Sequence, residues 1–301
     1  MVAALLITAG SVLILLLAVS FWFAVQVVLP KMISVKRTYD IEVENGRLDE
    51  SQFNKLPKQE VTIRSPFGYN LFGILFPVEG SKKIVLISHG FRYGLYGSVK
   101  FLNLFLPRGY SVLLFDLRHH GRSGGSNVTF GWKEKYDVKA WVDWAINNYG
   151  AEVVGSMGES LGAGVALQHV AIDPRLAFVI ADCPFSDLQQ LLQFNLKKKY
   201  QLPGFPLIPL ADFWCWLLTG MTFAKVSPIH NVAEMTTPLF LAHGTQDDFI
   251  PACMSRDLYD AKIKGIRRLY LAPNAGHAEA YWKNREEYGH LVGEFLSDAK
   301  V

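Results

Sequence analysis

Gly158-Glu159-Ser160-Leu161-Gly162 follows the apolar pair Val153–Val154 and leads into Ala163, Gly164, Val165 and Ala166. An apolar run before this G-x-S-x-G pentapeptide and small residues after it predict a strand, a sharp turn and a helix. On such a turn the serine backbone is strained and its hydroxyl is presented outward. Glycine is required on both sides because a Cβ at Gly158 or Gly162 would meet the neighbouring turn. The small residues let the following helix lie close to a sheet. The bland alternative is a glycine-rich β-to-α turn in which Ser160 only caps the helix.

Outward from this turn, apolar runs of four to eight residues alternate with helical patterns, which predicts a mostly parallel sheet. Val61–Ile63 and Leu71–Phe76 flank Ser65-Pro66-Phe67-Gly68 and read as an opening hairpin. The run Lys83–Ser88 stops at His89-Gly90, and Ser111–Phe115 stops at Asp116. Leu176–Ala181 stops at Asp182, Pro238–Ala242 at His243-Gly244, and Arg268–Leu271 before Pro273-Asn274. Helical stretches are expected over Tyr136–Asn148 and from Trp282 to Ser297. In open α/β sheets a site gathers at the carboxyl ends of the strands, where these polar and glycine residues fall.

Serine is a weak nucleophile unless a base takes its proton, and a histidine base needs a carboxylate to orient it. Of eight histidines, His277 stands on the loop after the last strand, in Asn274-Ala275-Gly276-His277. His89 and His243 are each followed by glycine, which suits a turn in which the imidazole bonds backbone. Asp247 and Asp248 follow the strand that ends at His243, and either could serve as the acid. No spacing among Asp116, Arg118, His120 and Ser123 matches a metal site, so they read as a hydrogen-bonded turn. Asp182 reads as structural. No metal or organic cofactor is expected.

Four segments together resemble the α/β-hydrolase superfamily. They are His89-Gly90-Phe91; Asp116-Leu117-Arg118-His119-His120-Gly121-Arg122-Ser123; the Gly158–Gly162 turn; and His243 through Pro251 with Gly276-His277. Their order spans roughly residues 60–297, and serine, acid, histidine is the chain order of that superfamily. The chain is most similar to bacterial serine hydrolases whose catalytic core looks like prolyl-oligopeptidase and acyl-esterase domains. The resemblance implies an α/β-hydrolase fold with helices on both faces and a small helical cap. It implies Ser160 as nucleophile, His277 as base and Asp247 as acid, with the Leu161 and Phe91 N–H groups as oxyanion hole. The implied activity is cleavage of an ester, thioester or amide. Short or acylated peptides are a second substrate class, and a non-catalytic binding protein of this fold is the rival from another class.

Val2 to Pro30 carries no charged side chain, longer than the roughly 20 apolar residues a membrane-spanning helix needs. A cleaved signal peptide is the alternative, with Ala18-Val19-Ser20 as a small-x-small site, but no basic stretch precedes the run. Lys31, Lys36 and Arg37 follow it, and the positive-inside tendency places that flank in the cytoplasm. The expected organisation is therefore an anchor over 1–30, a tether over 31–58 and a hydrolase domain over 59–301, with a cap at about 185–237. Inside the cap, Phe205–Leu210 and Phe213–Leu218 either pack on the core or face a bilayer or acyl chain. Three cysteines (Cys183, Cys215, Cys253) form no disulfide framework. A net charge of +3 with no long basic block excludes a nucleic-acid partner. The expected partners are a small ester or short peptide and a membrane.

Overall fold

Lys83–Ser88 and Ser111–Phe115 are buried at nearly every position, so both faces of these strands must be covered. The two faces feed different cores. Ile84, Leu86 and Leu113 join one apolar layer, while Val85, Ile87, Val112 and Leu114 join the other, as a period of two dictates.

A computed structural model describes residues 1–301. Helices α1 (Val2–Val28), α2 (Val35–Glu44) and α3 (Glu50–Lys55) precede strands β1 (Gln59–Arg64), β2 (Asn70–Phe76) and β3 (Lys83–Ser88). Helix α4 (Leu102–Phe105), β4 (Ser111–Phe115), α5 (Glu134–Asn147), β5 (Val153–Glu159), α6 (Leu161–His169) and β6 (Phe178–Asp182) follow. The chain then lays down α7 (Leu188–Tyr200), α8 (Leu207–Thr219) and α9 (Pro228–Val232) before returning to β7 (Leu239–Gly244). Last come α10 (Cys253–Ala261), β8 (Arg267–Ala272), α11 (Ala280–Lys283) and α12 (Arg285–Asp298). The final helical stretch expected from the sequence is thus broken at Asn284.

The eight strands form one sheet in the order β1-β2-β4-β3-β5-β6-β7-β8. The β1–β2 and β2–β4 pairs are antiparallel and all the others are parallel. β5 lies between β3 and β6, so the Ser160 turn emerges at the middle of the sheet.

Residues 31–58 do not trail free. Ser34 caps α2 by accepting the Arg37 N–H (3.2 Å), and Thr38, Glu42 and Phe53 are buried against the domain. The Ile33 N–H donates to Arg92 O (3.0 Å) and the Tyr93 hydroxyl to Glu42 Oε1 (2.9 Å). These bonds tie the segment to the loop after β3.

Helix α1 is exposed from Val2 through Leu15 apart from Gly10, and engages the domain only in its later turns, where Ser20, Ala24 and Val28 are buried. Its partner there is α8: the Trp214 indole N–H donates to Ser20 Oγ (3.2 Å), and the Phe21 and Trp214 rings meet edge to face at 5.4 Å.

Candidate active site

The turn at Ser160 is built as its glycines require. A Cβ on Gly158 would fall 2.2 Å from the Gly162 carbonyl carbon, and one on Gly162 would fall 2.4 Å from Ser88 O. The backbone can reverse here only without those atoms. Ser160 itself sits at φ 56°, ψ −114°, a region that costs a non-glycine residue energy and is kept where the surroundings enforce it. One such constraint is the Ser160 N–H, which donates to Asp182 O at the end of β6 (2.8 Å).

Ser160 Oγ lies 2.9 Å from His277 Nε2, and His277 Nδ1 lies 2.7 Å from Asp247 Oδ2. With the Nδ1 proton donated to the carboxylate, Nε2 is left to accept the serine proton. The Asp247 side chain is completely buried, and its second oxygen accepts the Phe249 and Ile250 N–H groups (both 2.9 Å). Burial opposes its ionisation most, but hydrogen bonds from His243, His277 and Ile250 outweigh that and hold the carboxyl well below the usual carboxylate range. Asp248 points away: its side chain is 82% exposed and pairs with Lys198 at 3.4 Å. The structure therefore brings together Ser160, His277 and Asp247 and leaves Asp248 outside.

The loop after β3 passes close to the serine, since a Cβ on Gly90 would lie 3.7 Å from Ser160 Cβ. Phe91, Leu161 and Ser160 line one cavity. The Phe91 N–H has no partner within the protein. Leu161 opens α6, where the first N–H groups lack helical acceptors and a negative charge is favoured. Phe91 and Leu161 thus share the cavity of Ser160.

The Asp116–Ser123 segment braces this loop. His89 Nε2 accepts the Leu117 N–H (3.0 Å), while His120 Nε2 accepts the Arg92 N–H (3.1 Å), one residue past Phe91. Burial drives the His89 pKa down to about 4 and His120 well below its ordinary value, so both imidazoles stay neutral acceptors. Asp116 is pushed up to about 6 by burial, against hydrogen bonds from the Arg122 and Leu95 N–H groups. Cys183, Asp247 and His277 come within 4.8 Å of one another. They make a poor metal set, because burial holds the Cys183 thiol in its protonated form and Asp247 is already bonded on both oxygens.

Two features went unread in the sequence. Beneath the turn, buried Lys100 is ion-paired with Glu159 and donates to Ala278 O (3.2 Å). The second is the cavity wall. A volume of about 320 Å³ opens above Ser160, and 16 of its 21 lining residues are hydrophobic. Helices α7 and α8 supply much of it, but Phe23, Gln26 and Val27 of α1 complete it. Gln26, a lone amide in an apolar helix, was the one hint available.

Comparison with known proteins agrees with this architecture. The family model described as X-Pro dipeptidyl-peptidase (S15 family) matches residues 28–196. The uncharacterized protein YqkD of Bacillus subtilis is 32% identical over 296 residues, covering 97% of each chain. The lysophosphatidylserine lipase ABHD12 of Macaca fascicularis is 27% identical over 74% of this chain and 58% of its own length. Among solved structures, the Pyrococcus furiosus esterase Pf2001 superposes with a TM-score of 0.68 at 26% identity, over 83% of this chain and 94% of that one.

Proposed function

The chain belongs to the X-Pro dipeptidyl-peptidase (S15) family of α/β hydrolases, and on that premise we propose that it is a membrane-anchored serine hydrolase of carboxylic esters. Ser160 attacks the ester carbonyl as His277 takes its proton, and Asp247 orients the imidazole and balances its charge. The Phe91 and Leu161 N–H groups hold the oxyanion. His277 then returns the proton to the leaving alcohol, and water, activated by the same histidine, releases the acyl group from Ser160. No metal or cofactor takes part in these steps. Helix α1, 27 residues with no charged side chain, is the anchor. The observation that carries the reading is the unbroken row from Ser160 through His277 to Asp247.

A peptidase acting on short or acylated peptides is the second reading, favoured by the family description. The cavity argues for esters instead. It contains no aspartate or glutamate, and a peptide amino terminus taken out of water needs a carboxylate partner. The names of an esterase and a lipase among the similar proteins point the same way.

The test is hydrolysis of p-nitrophenyl esters of increasing acyl length by the full chain, with Ser160→Ala as control. Turnover that rises with chain length and vanishes in the variant is expected. Cleavage of aminoacyl amides but of no ester would shift the assignment to peptidase. No turnover of either would leave the binding-protein reading.

A further inference from the structure

The wall that α1 gives the cavity has a consequence for the substrate. Phe23, Gln26 and Val27 line the space above Ser160, yet they belong to the helix read as the anchor. A 27-residue helix is about 40 Å long, against roughly 30 Å of bilayer hydrocarbon. Its last turns therefore lie in the headgroup layer, and the aromatic residues mark that level. Phe21 and Trp22 are exposed on α1, and Phe213 and Trp216 are exposed on α8 beside it. Trp22 and Phe23 pack edge-on against Tyr200 of α7 (6.2 and 5.1 Å). Aromatic rings collect at membrane interfaces, with lysines reaching to the headgroups beyond them. The exposed run Lys197-Lys198-Lys199 precedes Tyr200.

The apolar outer face of α8 continues the surface of α1. Trp216 and Leu217 are 50% and 59% exposed, an apolar patch with a spanning helix at its edge. Charge at the cavity rim is one-sided: the only charged residues lining it are Arg92 and Lys199. Arg92 spends only its Nε–H, on Lys31 O (2.8 Å), and Lys199 forms no salt bridge.

Resting on the ester-hydrolase reading, we propose that the cavity is loaded from the bilayer, and that its substrate is a membrane-resident ester with one long acyl chain and an anionic headgroup. The acyl chain lies between α1, α7 and α8. The ester reaches Ser160, and the headgroup stays at the rim against Arg92 and Lys199. A cavity at the lower end of ligand-site volumes suits one chain rather than two.

The experiment reconstitutes the full chain in phosphatidylcholine vesicles. It compares hydrolysis of vesicle-borne palmitoyl lysophosphatidylglycerol, palmitoyl lysophosphatidylcholine and water-soluble p-nitrophenyl butyrate. Val27→Trp, which narrows the α1 wall, is expected to lower the ratio of lysolipid to butyrate rates by about tenfold or more. Leu217→Glu, on the outer face of α8, is expected to lower the same ratio comparably, because a carboxylate resists burial in lipid. Lys199→Glu should abolish the preference for the anionic lysolipid over the zwitterionic one. Ratios unchanged in both Val27→Trp and Leu217→Glu overturn the proposal. If Val27→Trp loses both rates together, Leu217→Glu decides. Wild-type turnover of butyrate with none of either lysolipid overturns this inference and leaves the ester hydrolase standing, whereas turnover of no ester overturns both.

Discussion

Lys100 is ion-paired with Glu159, the residue immediately before Ser160, and the same ammonium donates to the carbonyl of Ala278, immediately after His277. One buried cation thus ties the serine turn to the histidine loop across the end of the sheet. Burial disfavours its charge most, but Glu159, Asp182 and Glu42 outweigh that and keep it protonated.

Lys100→Met should act on both stability and rate. Removing one partner of a buried pair typically costs about 3–5 kcal/mol, because the other charge is stranded. Melting temperature and kcat should fall together with KM little changed, since Lys100 does not line the cavity. Adding Glu159→Gln should restore part of both losses, because the stranded carboxylate is then gone. A purely structural lysine would leave the kcat of the folded fraction at the wild-type value.

The two adjacent carboxylates should separate cleanly. In Asp247→Asn the amide oxygen stays on the Phe249 and Ile250 N–H groups and the NH2 faces His277 Nδ1, which favours the wrong imidazole tautomer and should lower kcat by on the order of 10⁴. Asp248→Asn, on an exposed side chain, should stay within about twofold. Ester hydrolysis by the two variants measures this, and the opposite ranking would move the acid to Asp248.

Asp116 gives the fold a pH signature. Its pKa of about 6 in the folded chain lies above the unfolded value near 4, so between those values the folded state holds the extra proton. Folding is then favoured as pH falls through this window, and the contribution is lost as pH rises through 6. Asp116→Asn removes it. The stability difference between wild type and variant should shift toward wild type by on the order of 3 kcal/mol from pH 7 to pH 4. Thermal unfolding across that range checks it, and a pH-independent difference would contradict the assignment.

How far the sequence could be read follows from how local each signal is. The strands were legible because β3 and β4 are buried on both faces and read as continuous apolar runs. The Ser160 turn was legible because glycine is forced at Gly158 and Gly162 by backbone contacts within a few residues or on the adjoining strand. Spacing alone left Asp247 and Asp248 open, and the family resemblance pointed to Asp247; in the fold the two differ by burial and by the bond to His277, which only Asp247 makes. Lys100 was invisible because its partners lie 59 and 178 residues away. The role of α2 was hidden for the same reason: buried Glu42 answers to Tyr93 on a loop 51 residues later. Helix α1 carried its apolar length openly, but its place in the cavity wall depends on α8, a contact no local pattern encodes.

The central claim is that Ser160 is the nucleophile, and the most direct measurement is mass spectrometry of the full chain after treatment with a fluorophosphonate. A single phosphonyl adduct on Ser160, absent from Ser160→Ala together with ester turnover, is the predicted result. An adduct on another residue, or a Ser160→Ala variant that hydrolyses esters at the wild-type rate, would contradict it.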